Sequence, residues 1–473
     1  MAAMRIAAID QGTTSTRALV VDTGDGTAVI AHAVRHAQSH PAPGWVEHDA
    51  EELLANVRAC IAAAGPVDAL ALANQGESCL AWDAVTGEAL SPVIVWQDNR
   101  TTDAVAGLAD HAALVEARAG LPLDAYFSAS KLGWLLRHLP RVRAAREAGR
   151  LRLGTTDAFF LDRLAGVFAT DAATASRTSL MRLATGRWDP ELCALFGVPI
   201  DCLPEIRPTV GGFGRIEGVP VVASVVDQQA ALYGHGCRAP GDAKITFGTG
   251  AFALAVTGGE IVRAAGEGLL PTVAWAIGKA TTYAVDGGVY DAGSAVEWAM
   301  RVGIVDDFSQ LDGFTEPPAI DRGLVFVPAL SGLACPHWDR SAAALFLGMS
   351  AATTRVDLRQ ALLEGIALRT AEVVAAIHAR VALAPSISID GGLSRSGYFA
   401  QFLADSLGRE VVVGAFDERT AFGAAALAAS AFGIDLAAPA EARRHAPRGP
   451  ETRDARRARF AEAVARTRGW RAV

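Results

Sequence analysis

Two short polar runs in this sequence carry the residue types that hold phosphate. The first, Asp10-Gln-Gly-Thr-Thr-Ser-Thr-Arg17, lies between two apolar runs, so it reads as a turn joining two short strands. Gly12 lets a ligand approach the backbone because it has no Cβ. Thr13, Thr14 and Ser15 add hydroxyls and free amides, the groups that cup phosphate oxygens in loop-type sites. Asp10 is suited to hold a divalent cation through water, and Arg17 to neutralise phosphate charge. Taken alone, the stretch fits an ordinary surface hairpin equally well. The second run, Phe247-Gly-Thr-Gly250, repeats the plan about half a chain later, again between apolar stretches. Two such hairpins imply two related domains presenting phosphate loops to one cleft. Neither run has the Gly-Lys-Ser/Thr of a P-loop or the glycine spacing of a dinucleotide fold, which disfavours both. Between them Asp227 follows an apolar run, where it suits either a general base or a helix N-cap.

The elements that must position these groups alternate between strand and helix. Apolar runs at 27–34, 67–73, 93–96 and 221–223 read as strands, two of them ending in the polar segments Asn74-Gln-Gly-Glu-Ser78 and Gln97-Asp-Asn-Arg100. Polar residues at strand ends are where open α/β sheets place ligands. Helical spacing covers 51–64 behind Asp49 as N-cap, then 104–118, 131–138 and 141–148, the last two separated by Pro140. The second half repeats the alternation, with strands at 281–285, 324–328, 386–389 and 410–413. Its helices are expected at 293–301, 356–382 (long and amphipathic) and 397–407. The glycine-proline cluster at 237–241 marks the boundary between an N-terminal domain, 1–237, and a C-terminal domain, 238–440. Residues 441–473 read as a helical tail docked through Phe460 and Val464.

At 473 residues two large domains are expected, and 51% apolar against 20% charged residues suits a soluble globular protein. A net charge of −8 provides no basic footprint for nucleic acid. The six cysteines are scattered without a CxxC pair, as in a reduced, cytoplasmic protein. No secretory signal is evident, and the Ala/Gly-rich run 421–434 suits a buried helix better than a membrane span.

Taken together these segments resemble the FGGY carbohydrate kinases, and within them the glycerol kinases. The resemblance rests on Asp10-Gln-Gly-Thr-Thr14, Pro43-Gly-Trp-Val-Glu-His-Asp49, Val93-Ile-Val-Trp-Gln97 and Tyr126-Phe-Ser-Ala-Ser-Lys131-Leu-Gly-Trp134. It continues through Asp227-Gln-Gln-Ala-Ala-Leu232, Phe247-Gly-Thr-Gly250, Gly332-Leu-Ala-Cys-Pro-His-Trp-Asp339 and Asp390-Gly-Gly392, all in the family's order. It implies two RNase H-like domains of the actin-like ATPase type, with ATP in the cleft between them and Mg²⁺ as cofactor. It further implies that Asp227 is the catalytic base and that Thr13, Thr14, Ser15, Arg17 and Thr249 meet the phosphates, with Asp10 near the metal. Gly293, Glu297, Gly392 and Ser396 match the family's nucleotide positions. Gly76, Glu77, Trp96, Tyr126, Asp227, Gln228 and Phe252 match positions that contact the polyol.

Three departures bear on function. Glycerol kinases carry Asn-Gln-Arg-Glu-Thr where this chain has Asn74-Gln-Gly-Glu-Ser78. Losing that guanidinium removes charge-assisted hydrogen bonds, each typically worth about 1.5–3 kcal/mol, and opens space for a larger polyol or a ketose of four or five carbons. Ser396 and Glu297 replace the family's usual asparagine and glutamine. The segment Val210-Gly-Gly-Phe-Gly-Arg215 is shorter and less basic than the loop through which some glycerol kinases bind an inhibitory sugar bisphosphate, so no such feedback is expected. The resemblance is compatible with a homodimer or homotetramer, and with no membrane insertion. The rival readings are an actin- or chaperone-like ATPase, or a polyol sensor without catalysis.

Overall fold

The computed structural model describes residues 3–264 and 268–471. Its first sheet grows from the hairpin β1 (Arg5–Gln11) and β2 (Ser15–Asp22), whose apolar runs are buried as the centre of a covered sheet must be. β3 (Ala28–Arg35) pairs antiparallel with β2. Helix α1 (Ala50–Ala64) starts at Asp49, whose carboxylate accepts from the amides of Glu51 and Glu52, and leads to β4 (Ala69–Asn74), parallel to β1. β5 (Arg215–Ile216) and β6 (Val219–Val226) complete the order β5-β6-β4-β1-β2-β3, and helix α2 (Asp227–Gly234) follows directly.

The second sheet repeats this plan. The hairpin of β7 (Ala243–Phe247) and β8 (Ala251–Gly258) is extended on one side by β9 (Leu270–Ile277) and β10 (Ala280–Val289). After helices α3 (Gly293–Arg301) and α4 (Arg355–His378), β11 (Ser386–Gly391) adds parallel to β7 on the other side. Helix α5 (Gly397–Leu407) then leads to β12 (Glu410–Gly414), parallel to β11. In both sheets, therefore, a central hairpin has an antiparallel strand beyond its second arm and parallel strands beside its first. The turn at Gly12 and the turn at Gly248 thus occupy corresponding corners, where α/β sheets gather ligands.

Helix α6 (Arg419–Ser430) connects the two halves. Its alanine-rich surface packs on β1, β4 and β6 of the first sheet, and it crosses α2 in backbone contact. A Cβ on Gly423 would lie 1.8 Å from the Ala230 carbonyl oxygen, and one on Gly234 would lie 2.0 Å from that of Arg419. Only hydrogen fits at either point. Residues 421–429 are thus buried within α6, whereas 431–434 lie beyond its end and are exposed or half-buried, and among the described residues no helix is long and apolar enough to cross a membrane.

Three expectations change. The helix expected over 104–118 is broken into Thr102–Ala106, a single turn Ala109–His111, and Ala112–Ala119. Gly107 interrupts the run, and glycine costs about 1 kcal/mol against alanine within a helix. α4 is buried along most of its length rather than two-faced, because α5, α7 (Pro450–Thr467) and β10 enclose it. The tail is part of the second sheet: β13 (Glu441–His445) pairs antiparallel with β12, and α7 inserts Phe460, Ala463 and Val464 into the core.

Candidate active site

Both glycine turns open on one cavity of about 230 Å³. In the first, the Gly12 amide donates to the Ser15 carbonyl at 3.0 Å, and Thr13 and Thr14 line the cavity. In the second, Gly248, Thr249 and Gly250 line it from the facing half. The amides of Ala292 and Ser294 brace this turn by donating to the Thr249 carbonyl at 3.0 Å, and the Gly293 amide donates to that of Gly248. A Cβ on Gly293 would come within 2.5 Å of that Gly248 oxygen, so glycine is required there by packing alone.

Asp227 lies at the cavity wall as the first residue of α2, at the carboxyl end of β6. It is not the N-cap, a position held by Val226. Its Oδ1 accepts from the Gln228 amide at 2.7 Å, which leaves Oδ2 for another partner. Desolvation, followed by the charge of Glu77, raises its carboxyl to about 7, against the pull of Lys244 and Arg177. Asp10, at the end of β1, is also raised to about 7, by desolvation and then by Asp227. Asp10 does not itself line the cavity. Nor do Ser15 and Arg17; the Arg17 guanidinium reaches Glu418, just ahead of α6, at 2.9 Å.

Alongside the glycine turns, Gly76, Glu77, Trp96, Tyr126, Gln228 and Phe252 share the same cavity. Glu77 holds a positive φ of 59°, a conformation that costs a non-glycine residue on the order of 1–3 kcal/mol. Two partners fix it there: Ser128 Oγ donates to its carbonyl at 2.8 Å, and Arg177 Nε to its Oε1 at 2.6 Å. Trp96 and Tyr126 meet edge to face at 5.6 Å, and the buried Lys131 ammonium donates to both their carbonyls, at 3.0 and 2.8 Å. The Trp96 indole donates to Thr13 Oγ1 at 3.0 Å, tying the aromatic wall to the first glycine turn. The space expected beside Gly76 is partly taken: a Cβ there would lie 2.9 Å from Val226 Cγ2.

The residues matched to the nucleotide's far end lie outside this cavity. Glu297 is exposed on α3, and Gly392 is exposed with open space around it. Ser396 is buried as the N-cap of α5, its hydroxyl donating to the Leu311 carbonyl and accepting from the Phe399 amide. Sequence reasoning missed Arg177, Asp286 and Lys244. Lys244 Nζ donates to Gln228 Oε1 at 2.5 Å and Thr246 Oγ1 at 2.8 Å, beneath the second turn. Lys244 and Asp286 each interrupt an apolar strand, and a charge buried in a strand was the available signal.

Two facing glycine turns with a carboxylate between them are the arrangement of a phosphotransferase built on a duplicated RNase H-like fold. The models for the FGGY family of carbohydrate kinases match residues 5–234 (N-terminal domain) and 243–432 (C-terminal domain), and the chain belongs to that family. It is 40% identical over 489 aligned residues to a glycerol kinase of Alkalilimnicola ehrlichii, with 98% of each chain covered. A glycerol kinase of Thermus brockianus is also 40% identical, at the same coverage. Among solved structures, Plasmodium falciparum glycerol kinase with ADP superposes with a TM-score of 0.89 at 29% identity, and a xylulose kinase from Rhodospirillum rubrum with 0.84 at 26%, each covering 98% of both chains. The chain is an ATP-dependent kinase that phosphorylates a small polyol or sugar, which sets aside the filament-type ATPase and the catalytically silent sensor.

Proposed function

We propose that Asp227 is the base that deprotonates a terminal hydroxyl of a small, neutral polyol or sugar, and that glycerol is not the preferred acceptor. The observation that carries this reading is the single cavity shared by Thr13, Thr249, Asp227 and the Glu77–Trp96–Tyr126 wall. Phosphoryl transfer asks for in-line positioning, charge neutralisation and a base rather than covalent chemistry. With Oδ1 engaged by the Gln228 amide, Oδ2 takes the hydroxyl proton. A carboxyl raised to about 7 is well matched to that task near neutrality. The start of α2 adds positive potential where the phosphoryl group passes. Trp96, Tyr126 and Phe252 supply apolar surface for the carbon chain, and Glu77 and Gln228 take hydroxyls. Closure around the acceptor keeps water from the γ-phosphate.

Thr13, Thr14 and Ser15 on one side and Thr249 on the other are the groups for the ATP phosphates, with Arg17 available once released from Glu418. Among the described residues no cluster of three or more metal-ligating side chains exists. That suits Mg²⁺, which keeps waters and phosphate oxygens and asks for only one or two carboxylates. Asp10 fits this role, because a cation beside it would relieve the desolvation and the repulsion from Asp227 that raise its carboxyl. The ion, when bound, supplies charge neutralisation to the phosphates. Six free cysteines, all buried, support residence in a reducing compartment such as the cytoplasm.

The test is a panel of polyols and ketoses, glycerol included, in a coupled ADP-release assay with wild type and Asp227→Asn. The variant is expected to lose about 10²–10⁴-fold in kcat, the range of general-base catalysis. Wild-type-like turnover by the variant removes Asp227 from its role. A strong preference for glycerol refutes the reading of Gly76.

A further inference from the structure

Two charged side chains in the cavity wall have no direct contact with substrate in this scheme. Arg177, just after the helix Ala172–Ser176 of the first half, and Asp286, on β10 of the second, both line the cavity and are both buried. Arg177 Nη2 reaches Asp286 Oδ2 at 3.2 Å, so the pair bridges the two halves, while its Nε is held by Glu77. One polar atom on each side remains uncommitted: Arg177 Nη1 and Asp286 Oδ1 are buried without a hydrogen-bond partner. A charged donor and a charged acceptor left unpaired in this way carry their full desolvation penalty. A hydroxyl answers both, since it accepts from a guanidinium and donates to a carboxylate.

The scheme above already assigns Asp227, Gln228 and Glu77 to hydroxyls, as many groups as glycerol has hydroxyls. The Arg177–Asp286 pair calls for a further hydroxyl on a longer chain. The surroundings also decide its charge. Of the side chains that line the cavity, Glu77, Asp227 and Asp286 are acidic and Arg177 alone is basic, Lys244 and Lys131 standing behind the wall, so an acceptor carrying a carboxylate would be repelled.

We propose that Arg177 and Asp286 form a distal hydroxyl subsite that selects neutral, linear acceptors of four or five carbons over glycerol. It rests on the assignment of this cavity as the acceptor site. Because its members come from opposite halves, the hydroxyl that fills it also fastens the cleft around the acceptor.

The test compares wild type, Asp286→Asn and Arg177→Lys with glycerol, a tetritol, a pentitol, a ketopentose and an aldonate. Binding is read by calorimetry and kcat/KM by ADP release. Wild type is expected to favour a four- or five-carbon neutral acceptor over glycerol at least tenfold, and to leave the aldonate unphosphorylated. Asp286→Asn turns an acceptor into a donor and should reduce that selectivity ratio at least tenfold. Arg177→Lys keeps the cation but loses the Nη1 donor; it should reduce the ratio likewise, which serves if the asparagine variant does not fold. Equal weakening of long and short acceptors would show a wall support rather than a subsite and overturn the proposal, as would wild-type preference for glycerol or for the aldonate. If wild type binds none of these compounds, the acceptor-site assignment itself falls and takes the subsite with it. Intact binding with an unchanged ratio overturns the subsite alone.

Discussion

Replacing Gly423 by alanine tests whether the contact between α2 and α6 is as close as it must be. The new methyl would lie 1.8 Å from the Ala230 oxygen and 2.7 Å from the Gly234 nitrogen, whereas ordinary contact begins near 3.4 Å. The helices would have to part by roughly 1.6 Å, or α6 would have to rotate. Neither is free, because Gly234 meets the Arg419 backbone one turn away and α6 is wedged against β1, β4 and β6. Overpacking of this kind costs about 1–3 kcal/mol, and the crossing lies at the upper end because both clashing partners are backbone. Alanine returns about 1 kcal/mol of helix propensity, so a net loss near 2 kcal/mol is expected. The functional effect should exceed the thermodynamic one. α2 begins with Asp227, and a misplacement of about 1 Å at a reacting group costs on the order of 10²-fold. Urea unfolding together with steady-state ADP release measures both, and kcat should fall more than acceptor KM rises. A variant with wild-type midpoint and turnover within twofold would refute the reasoning.

Four further outcomes follow. Activity should depend on Asp227 ionisation: kcat/KM falls about tenfold per pH unit below about 7 and is flat just above it, and a profile level down to pH 5.5 contradicts this. For folding the same shift acts in the opposite sense. Its carboxyl is raised from 3.8 to about 7, so the neutral form is favoured in the folded state, and the ligand-free protein loses stability from this group as pH climbs through that interval, which pH-resolved thermal melts would detect. Trp96→Phe removes the indole donor to Thr13, one neutral hydrogen bond worth about 1 kcal/mol, so kcat/KM for ATP should drop about fivefold while the fold persists. Phe460→Ala should cost about 3–5 kcal/mol in chemical denaturation, with the turnover of the folded fraction retained.

The two glycine turns were legible because each combines glycine at a tight reversal with apolar strands, a pattern local to a few residues. The motifs also pointed to the residues now proposed for the acceptor, and the structure brings Glu77, Trp96, Tyr126, Asp227 and Phe252 to one cavity. What local patterns do not encode is the partner brought from afar. Arg17 meets Glu418 across 401 positions of sequence, Val226 takes part of the space beside Gly76, and α6 serves the first sheet although it belongs to the second half by order. Ser396 looked like a nucleotide contact, yet its hydroxyl is used at the start of α5. Arg177 and Asp286 were overlooked because their meaning is mutual, and they lie on segments that meet only after both sheets have formed.

The pairing of β13 with β12 has a consequence for shortened forms of the chain. The family's domain models stop at residue 432, yet a polypeptide ending there would leave the amides and carbonyls along the outer side of β12 unsatisfied. An uncovered, strongly apolar border of that kind invites strand addition from a neighbouring molecule. Such a product would self-associate into insoluble material, even though every residue assigned here to ATP and acceptor would still be present.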